Sequence, residues 1–101
     1  MITYIYPKLF LEIANQFYSL SSDQNINENH TILLKRLSSN LSLLAYCSTS
    51  NIMLNKSSYF NPIKDDCLML KEINHSIVSN LSNQTLILLE NFDKELASLA
   101  S

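Results

Sequence analysis

Apolar residues recur once per helical turn in the C-terminal part of the chain, from Pro62 to Leu99. Their mean spacing is about 3.6 residues, the period of an α-helix, whereas side chains on a strand alternate with a period of two. A stripe of this length has to be covered, so the pattern predicts a helix that packs against the rest of the chain. The positions are Ile63, Cys67, Leu70, Ile73, Ile77, Leu81, Thr85, Leu88, Phe92, Leu96 and Leu99.

Two shorter segments upstream show the same spacing and predict helices over residues 7–20 and 30–50. Pro7 suits a first helical position, where its missing N–H is not needed, and Asn29 is the predicted N-cap of the second helix. The side of the second helix opposite its leucine stripe is polar, and we expect it to face solvent. That side carries Ser38, Ser39, Asn40 and Ser42.

The start of the C-terminal helical segment is marked by Asn61 and Pro62. Asn is a preferred N-cap residue, and Pro is favoured at the first helical position. Asp65 and Asp66 follow in the first turn, where carboxylates complement the positive end of the helix dipole. Local signals therefore predict a helix that begins at Pro62.

One unbroken helix over residues 62–99 would be about 57 Å long, too long for the two upstream helices to cover. Residues 79–84 are polar and weak in helix propensity, so we predict a break there, between helices over 62–79 and 83–99. The unbroken alternative predicts a homodimer in which a second chain covers the exposed stripe. The predicted fold is all-α: a small antiparallel bundle of about four helices, in one domain over residues 1–101.

Composition excludes several classes of function. The sequence contains no glycine, which rules out the glycine-rich phosphate-binding loops. The formal net charge is −2, and Lys35 and Arg36 are the only adjacent basic residues. Nucleic-acid-binding proteins usually present a clustered basic face, so we expect no nucleic-acid partner. No apolar run reaches the length of about 18 residues that spans a bilayer, and no secretion signal is evident, so we expect a cytoplasmic protein without membrane insertion.

Few residues in the sequence are candidates for catalysis or metal binding. Glu72 and His75 have the Glu-x-x-His spacing of di-iron helical bundles, but that chemistry requires two such units and further glutamates. Cys47 and Cys67 lie in apolar surroundings and are predicted to be buried, although a bridge between them stays open. We therefore predict no catalytic residue, no cofactor and no metal site. A metal-binding bundle that uses Glu72 and His75 remains an alternative.

The features that do stand out are typical of protein–protein contact. Tyrosine is enriched at binding surfaces, and the helices carry more apolar residues than one buried stripe requires. We predict a non-enzymatic interaction protein, such as a small chaperone or adaptor that binds an amphipathic helical segment of a partner protein. A bacteriocin-type immunity protein is the alternative. The predicted partner-binding residues are Tyr4, Tyr6, Tyr59, Phe60, Leu86 and Leu89.

Overall fold

A computed structural model describes residues 5–49 and 60–100 of the chain, and these residues form four helices joined by two described loops. The helices are α1 (Ile5–Leu20), α2 (Glu28–Thr49), α3 (Phe60–Leu70) and α4 (Ser76–Ala100). Within the two described ranges no residue is in a strand. The all-α helical bundle predicted from the sequence is therefore confirmed, and none of these helices is long and apolar enough to cross a membrane.

The helices pack around one aromatic contact point at Phe92 in α4. α1 lies along α2, α3 packs against both α2 and α4, and α4 also contacts α1. The ring of Phe92 meets Phe10 of α1 edge-on at 5.1 Å and stacks on Phe60 of α3 at 5.7 Å, both measured between ring centroids. Because aromatic rings bury large apolar areas, Phe92 links three helices through side chains that are almost fully covered.

The interface between α1 and α2 contains a serine that the sequence pattern assigned to the solvent side. The Ser38 hydroxyl of α2 donates a hydrogen bond of 2.8 Å to the backbone carbonyl of Ala14 in α1. Ser38 is 8% exposed and Ala14 is 1% exposed. The prediction for Ser38 is wrong because a small hydroxyl can enter a helix interface when a carbonyl across the interface accepts its proton.

The break between the last two helices lies at residues 71–75 and not at residues 79–84. The polar residues of the predicted break are inside α4, where Ser82 is fully buried, as is Thr85 of the predicted stripe. The Thr85 hydroxyl donates to the carbonyl of Leu81 one turn earlier, at 2.8 Å, so that polar side chain is satisfied within the helix. Weak propensity at residues 79–84 was therefore overridden by tertiary burial.

Local hydrogen bonds explain why α3 ends, and α4 begins, before the predicted break at residues 79–84. After α3, the backbone N–H of Ile73 donates to the carbonyl of Leu70, in a tight turn that ends the helix. His75 then starts α4, because its Nδ1 accepts the backbone N–H of Val78 at 3.3 Å, in the manner of an N-cap. The hydroxyl of Ser79 donates to the carbonyl of Lys71 at 2.7 Å and closes the loop.

The earlier break changes which apolar residues of α4 face the core. Val78 is fully buried, whereas Ile77, which the uninterrupted stripe assigned to the core, is 59% exposed. A loop between two helices changes the rotation of the second helix relative to the first. A helical period counted across the loop therefore assigns residues of the second helix to the wrong face. The unbroken helix over residues 62–99, the alternative from which a homodimer was predicted, is not formed.

Two helix starts also differ from the prediction. The side chain of Asn27, and not of Asn29, caps α2, because Asn27 Oδ1 accepts the backbone N–H of Asn29 at 2.7 Å. α3 begins at Phe60, so Asn61 lies in the first turn and is not the cap. Pro62 remains compatible with that turn, where a missing N–H costs nothing.

Asp66 has a role that the helix-dipole interpretation missed. Its side chain is 3% exposed and accepts two hydrogen bonds from the Arg36 guanidinium of α2. The bonds run from Nε to Oδ2 at 2.9 Å and from a terminal nitrogen to Oδ1 at 2.5 Å. This bidentate pair joins α3 to α2.

We predict that Arg36→Met destabilises the fold by about 2–3 kcal/mol, because it leaves the Asp66 carboxylate buried without a counter-charge. Urea unfolding followed by circular dichroism measures the effect. The matched control is Lys35→Met, at an exposed neighbouring position, and we expect it to change stability by less than about 0.5 kcal/mol. The double variant Arg36→Met with Asp66→Asn should recover part of the loss. Equal stabilities of the Arg36 and Lys35 variants would contradict this role.

We also predict that Ser82→Ala stabilises the protein by about 1 kcal/mol. The Ser82 hydroxyl is buried without a hydrogen-bond partner among the described residues, and alanine has the higher helix propensity. Ser79→Ala is the matched control, since it removes a hydroxyl that does bond to the Lys71 carbonyl. We expect thermal or urea unfolding to show that Ser82→Ala raises the stability of the fold and that Ser79→Ala lowers it. A destabilising Ser82→Ala would show that the hydroxyl is needed.

Candidate functional site

A groove lies between α3 and α4 and encloses a volume of about 460 Å³. We call it the α3–α4 groove. Of the described residues that line it, four come from each helix. They are Phe60, Asn61, Lys64 and Leu68 of α3, and Leu86, Leu89, Glu90 and Asp93 of α4.

The register of the helix hairpin forms this groove. The loop at residues 71–75 turns the chain back, and Phe60 at the start of α3 stacks on Phe92 near the end of α4, so the two helices run antiparallel. Counted from this stacked pair along antiparallel helices, Lys64 lies within about one turn of Glu90, and Leu68 within about one turn of Leu86. Apart from the adjacent pairs Phe60–Asn61 and Leu89–Glu90, the lining residues of each helix are three or four positions apart, and residues with this spacing share one face.

The floor of the α3–α4 groove is apolar. Phe60 and Leu89 are 7% and 4% exposed, and both belong to the hydrophobic core. Leu86 is partly buried and packs against that core, while Leu68 is 39% exposed. The groove therefore presents apolar surface that becomes more accessible from its floor to its edge at Leu68.

The walls of the groove differ in charge. Lys64 stands on the α3 wall, and Glu90 and Asp93 stand on the α4 wall. Glu90 also lies 3.4 Å from the ammonium group of Lys94, but both side chains of that pair are about two-thirds exposed. Exposed pairs of this kind are weak, so Glu90 keeps its negative character beside Lys94.

The α3–α4 groove brings together three of the six residues predicted to bind a partner. Phe60 and Leu89 contribute its floor and Leu86 its side. Tyr6 lies elsewhere: its ring packs against Phe92 at a centroid distance of 5.1 Å. The other two, Tyr4 and Tyr59, lie outside the described residues.

The pKa of the Tyr6 phenol is raised, first by burial and then by the negative charge of Glu95. The neutral phenol therefore packs at the edge of the core, which fits a structural role for this tyrosine.

Sequence reasoning missed the polar residues of the groove. Lys64 and Leu68 are four residues apart, as are Leu86 and Glu90, so each pair could be assigned to one helix face from the sequence. The sequence contains no local signal that these two faces meet. Their juxtaposition depends on the position of the helix break, and that position was predicted wrongly.

His75 and Glu72, the candidate metal ligands, serve other contacts or face solvent. Nδ1 of His75 accepts the N–H of Val78, so Nε2 carries the proton and donates to Asp23 Oδ2 at 3.0 Å. Glu72 is exposed. Among residues 5–49 and 60–100, no three His, Cys, Asp or Glu side chains lie close enough to hold a metal ion.

Both cysteines are buried and unlinked. Burial, assisted by the negative charge of Asp66, raises the pKa of the Cys67 thiol to about 12. The thiolate is the reactive form of cysteine, so Cys67 remains an inert thiol at neutral pH. The predicted burial of Cys47 and Cys67 is confirmed, and the bridge that the sequence left open is not formed.

The contact between Asp23 and His75 ties the loop before α2 to the start of α4. Asp23 also accepts the backbone N–H of Asn25 at 2.9 Å. The bond from Asn25, followed by the bond from His75, lowers the pKa of the Asp23 carboxyl below its ordinary value of 3.8. A lowered pKa means that the ionised carboxylate stabilises the folded state, and this stabilisation is lost as the pH falls through the folded-state pKa.

We predict that Asp23→Asn lowers stability at about pH 7 and has a smaller effect at about pH 3, because below the ordinary pKa of an unfolded aspartate the stabilisation from the ionised carboxylate diminishes. Asparagine keeps a side-chain oxygen for the Asn25 N–H, so the variant removes the negative charge and the acceptor for His75 Nε2. Urea unfolding of both proteins at the two pH values measures the difference. A stability gap that does not change with pH would contradict the assignment.

Comparison with protein-family models, with curated proteins and with solved structures found no match for this chain. The function is therefore inferred from the residues and geometry of the α3–α4 groove.

Proposed function

We propose that this protein is a non-enzymatic binding protein, in the manner of a small chaperone or adaptor, and that its α3–α4 groove holds an amphipathic helix of a partner protein. The observation that carries the proposal is the groove itself, which combines an apolar floor with polar residues along both walls. Grooves of this composition bind helices through apolar side chains spaced three or four residues apart.

The shape of the groove favours a helical occupant. From Asn61 to Leu68 the α3 wall extends about 10 Å, which corresponds to two turns of a partner helix. A helix laid along the groove would contact α3 and α4 together and bury the exposed parts of Leu68 and Leu86. Helix packing of this kind matches apolar ridges to grooves and needs no rearrangement of the bundle.

The local chemistry supports binding without catalysis. Both ring nitrogens of His75 are engaged in hydrogen bonds, and the Cys67 thiol is buried with a raised pKa. They are two of the four histidine and cysteine side chains in the sequence. In the folded protein they stabilise a helix start and fill the core.

The groove can be tested with a designed probe. The probe is a fluorescein-labelled synthetic peptide of about 18 residues, with leucines three and four residues apart on one face and glutamines on its flanks. We expect it to bind with an increase in fluorescence anisotropy. Amide resonances that shift on binding should map to the groove-lining residues.

Leu68→Asp should weaken binding of this peptide about tenfold or more, because it replaces apolar contact area with a charge. The matched control is Met69→Asp, which makes the same change in charge at a neighbouring residue of α3. Met69 is 58% exposed and does not line the groove. Equal binding by the two variants, or resonance shifts confined to another face, would overturn the proposal.

A further inference from the structure

The two walls of the α3–α4 groove carry opposite charges. Among the described lining residues, Lys64 places an ammonium group on the α3 wall, and Glu90 places a carboxylate on the α4 wall. The hairpin register puts Lys64 within about one turn of Glu90, so the charge changes sign across the width of the groove and not along its length. An occupant helix therefore meets a positive wall on one flank and a negative wall on the other.

Lys94 does not cancel this difference. It follows Asp93 in α4 and does not line the groove. Its ammonium lies 3.4 Å from a carboxylate oxygen of Glu90, but the side chains are 72% and 67% exposed. A pair this exposed is held loosely and is screened by salt, so Glu90 can exchange it for a basic residue of a bound helix.

From this arrangement we infer that the groove selects a partner helix whose apolar face has a basic flank and an acidic flank, and that these flanks set the direction in which the helix binds. The basic flank lies against α4 and the acidic flank against α3. Turning a helix end for end exchanges its flanks, so only one direction satisfies both walls. This inference rests on the proposed function and specifies the chemistry of the partner.

The expected contribution of the charges is selectivity more than affinity. Each exposed pair changes binding by about two- to fivefold, whereas burial of the apolar face provides most of the affinity. Like charges placed against each other act in the opposite sense, so a helix with two flanks of the same sign gains at one wall and loses at the other.

The test uses three further peptides that share the apolar face and length of the neutral probe. One has lysines on one flank and glutamates on the other, one has lysines on both flanks, and one has glutamates on both. We expect wild-type protein to bind the mixed peptide most tightly. The preference should shrink as the salt concentration rises.

Lys64→Glu should reverse the ranking, since both walls become acidic and favour the peptide with lysines on both flanks. We expect the ratio of the two affinities to change by about tenfold. The charge-matched control is Lys8→Glu, an exposed lysine of α1, which should leave the ranking unchanged. Circular dichroism of both variants checks that they remain folded.

Direction is measured with a nitroxide label at the N-terminus of the mixed peptide and of a peptide with its flanks exchanged. The two labels should broaden amide resonances at opposite ends of the groove, one near Asn61 and the other near Leu68. Equal affinities for the charged peptides, or one common direction, would overturn the charge inference and leave the groove as a neutral helix site. Failure of every peptide to bind, the neutral probe included, would overturn the proposed function and this inference together.

Discussion

The packing of Phe92 is the contact on which the arrangement of the helices depends. Its ring touches Phe10 of α1, Phe60 of α3 and Tyr6, so three helices share one point of the core. α3 is only 11 residues long, too short to be a stable helix by itself in water. The stacking of Phe60 on Phe92 fixes the start of α3 against α4, and the paired bonds between Arg36 and Asp66 hold it to α2. The groove exists because both contacts hold α3 in this position.

Large apolar residues that are more than half exposed occur on all four helices. They are Ile5, Tyr18, Ile32, Tyr46, Met69, Ile77 and Ile87. Single exposed apolar residues are normal in globular proteins and call for no special explanation. The α3–α4 groove differs because its apolar residues form a concave surface between two charged walls. Concavity together with a few placed polar groups is typical of binding sites.

The sequence by itself determined the helical class of this protein. Apolar side chains that recur once per turn can be buried together only on a helix, and this relation is local. For the same reason the hydrophobic stripe of the second helix could be predicted from the sequence. Its residues Leu34, Leu37, Leu41 and Leu44 are all fully buried. The burial of Cys67 followed from its apolar neighbours in the same way.

The tertiary structure alone decided where polar side chains belong and, through them, where the last helices separate. Local rules assigned Ser38 to solvent and Asp66 to the positive end of the helix dipole. Each is buried because a specific acceptor or donor satisfies it, at Ala14 and Arg36 respectively. Both partners lie on other helices. The position of the break between α3 and α4, and with it the pairing of these helices that forms the groove, depends on such contacts. The spacing of apolar residues along the sequence gives no information about them.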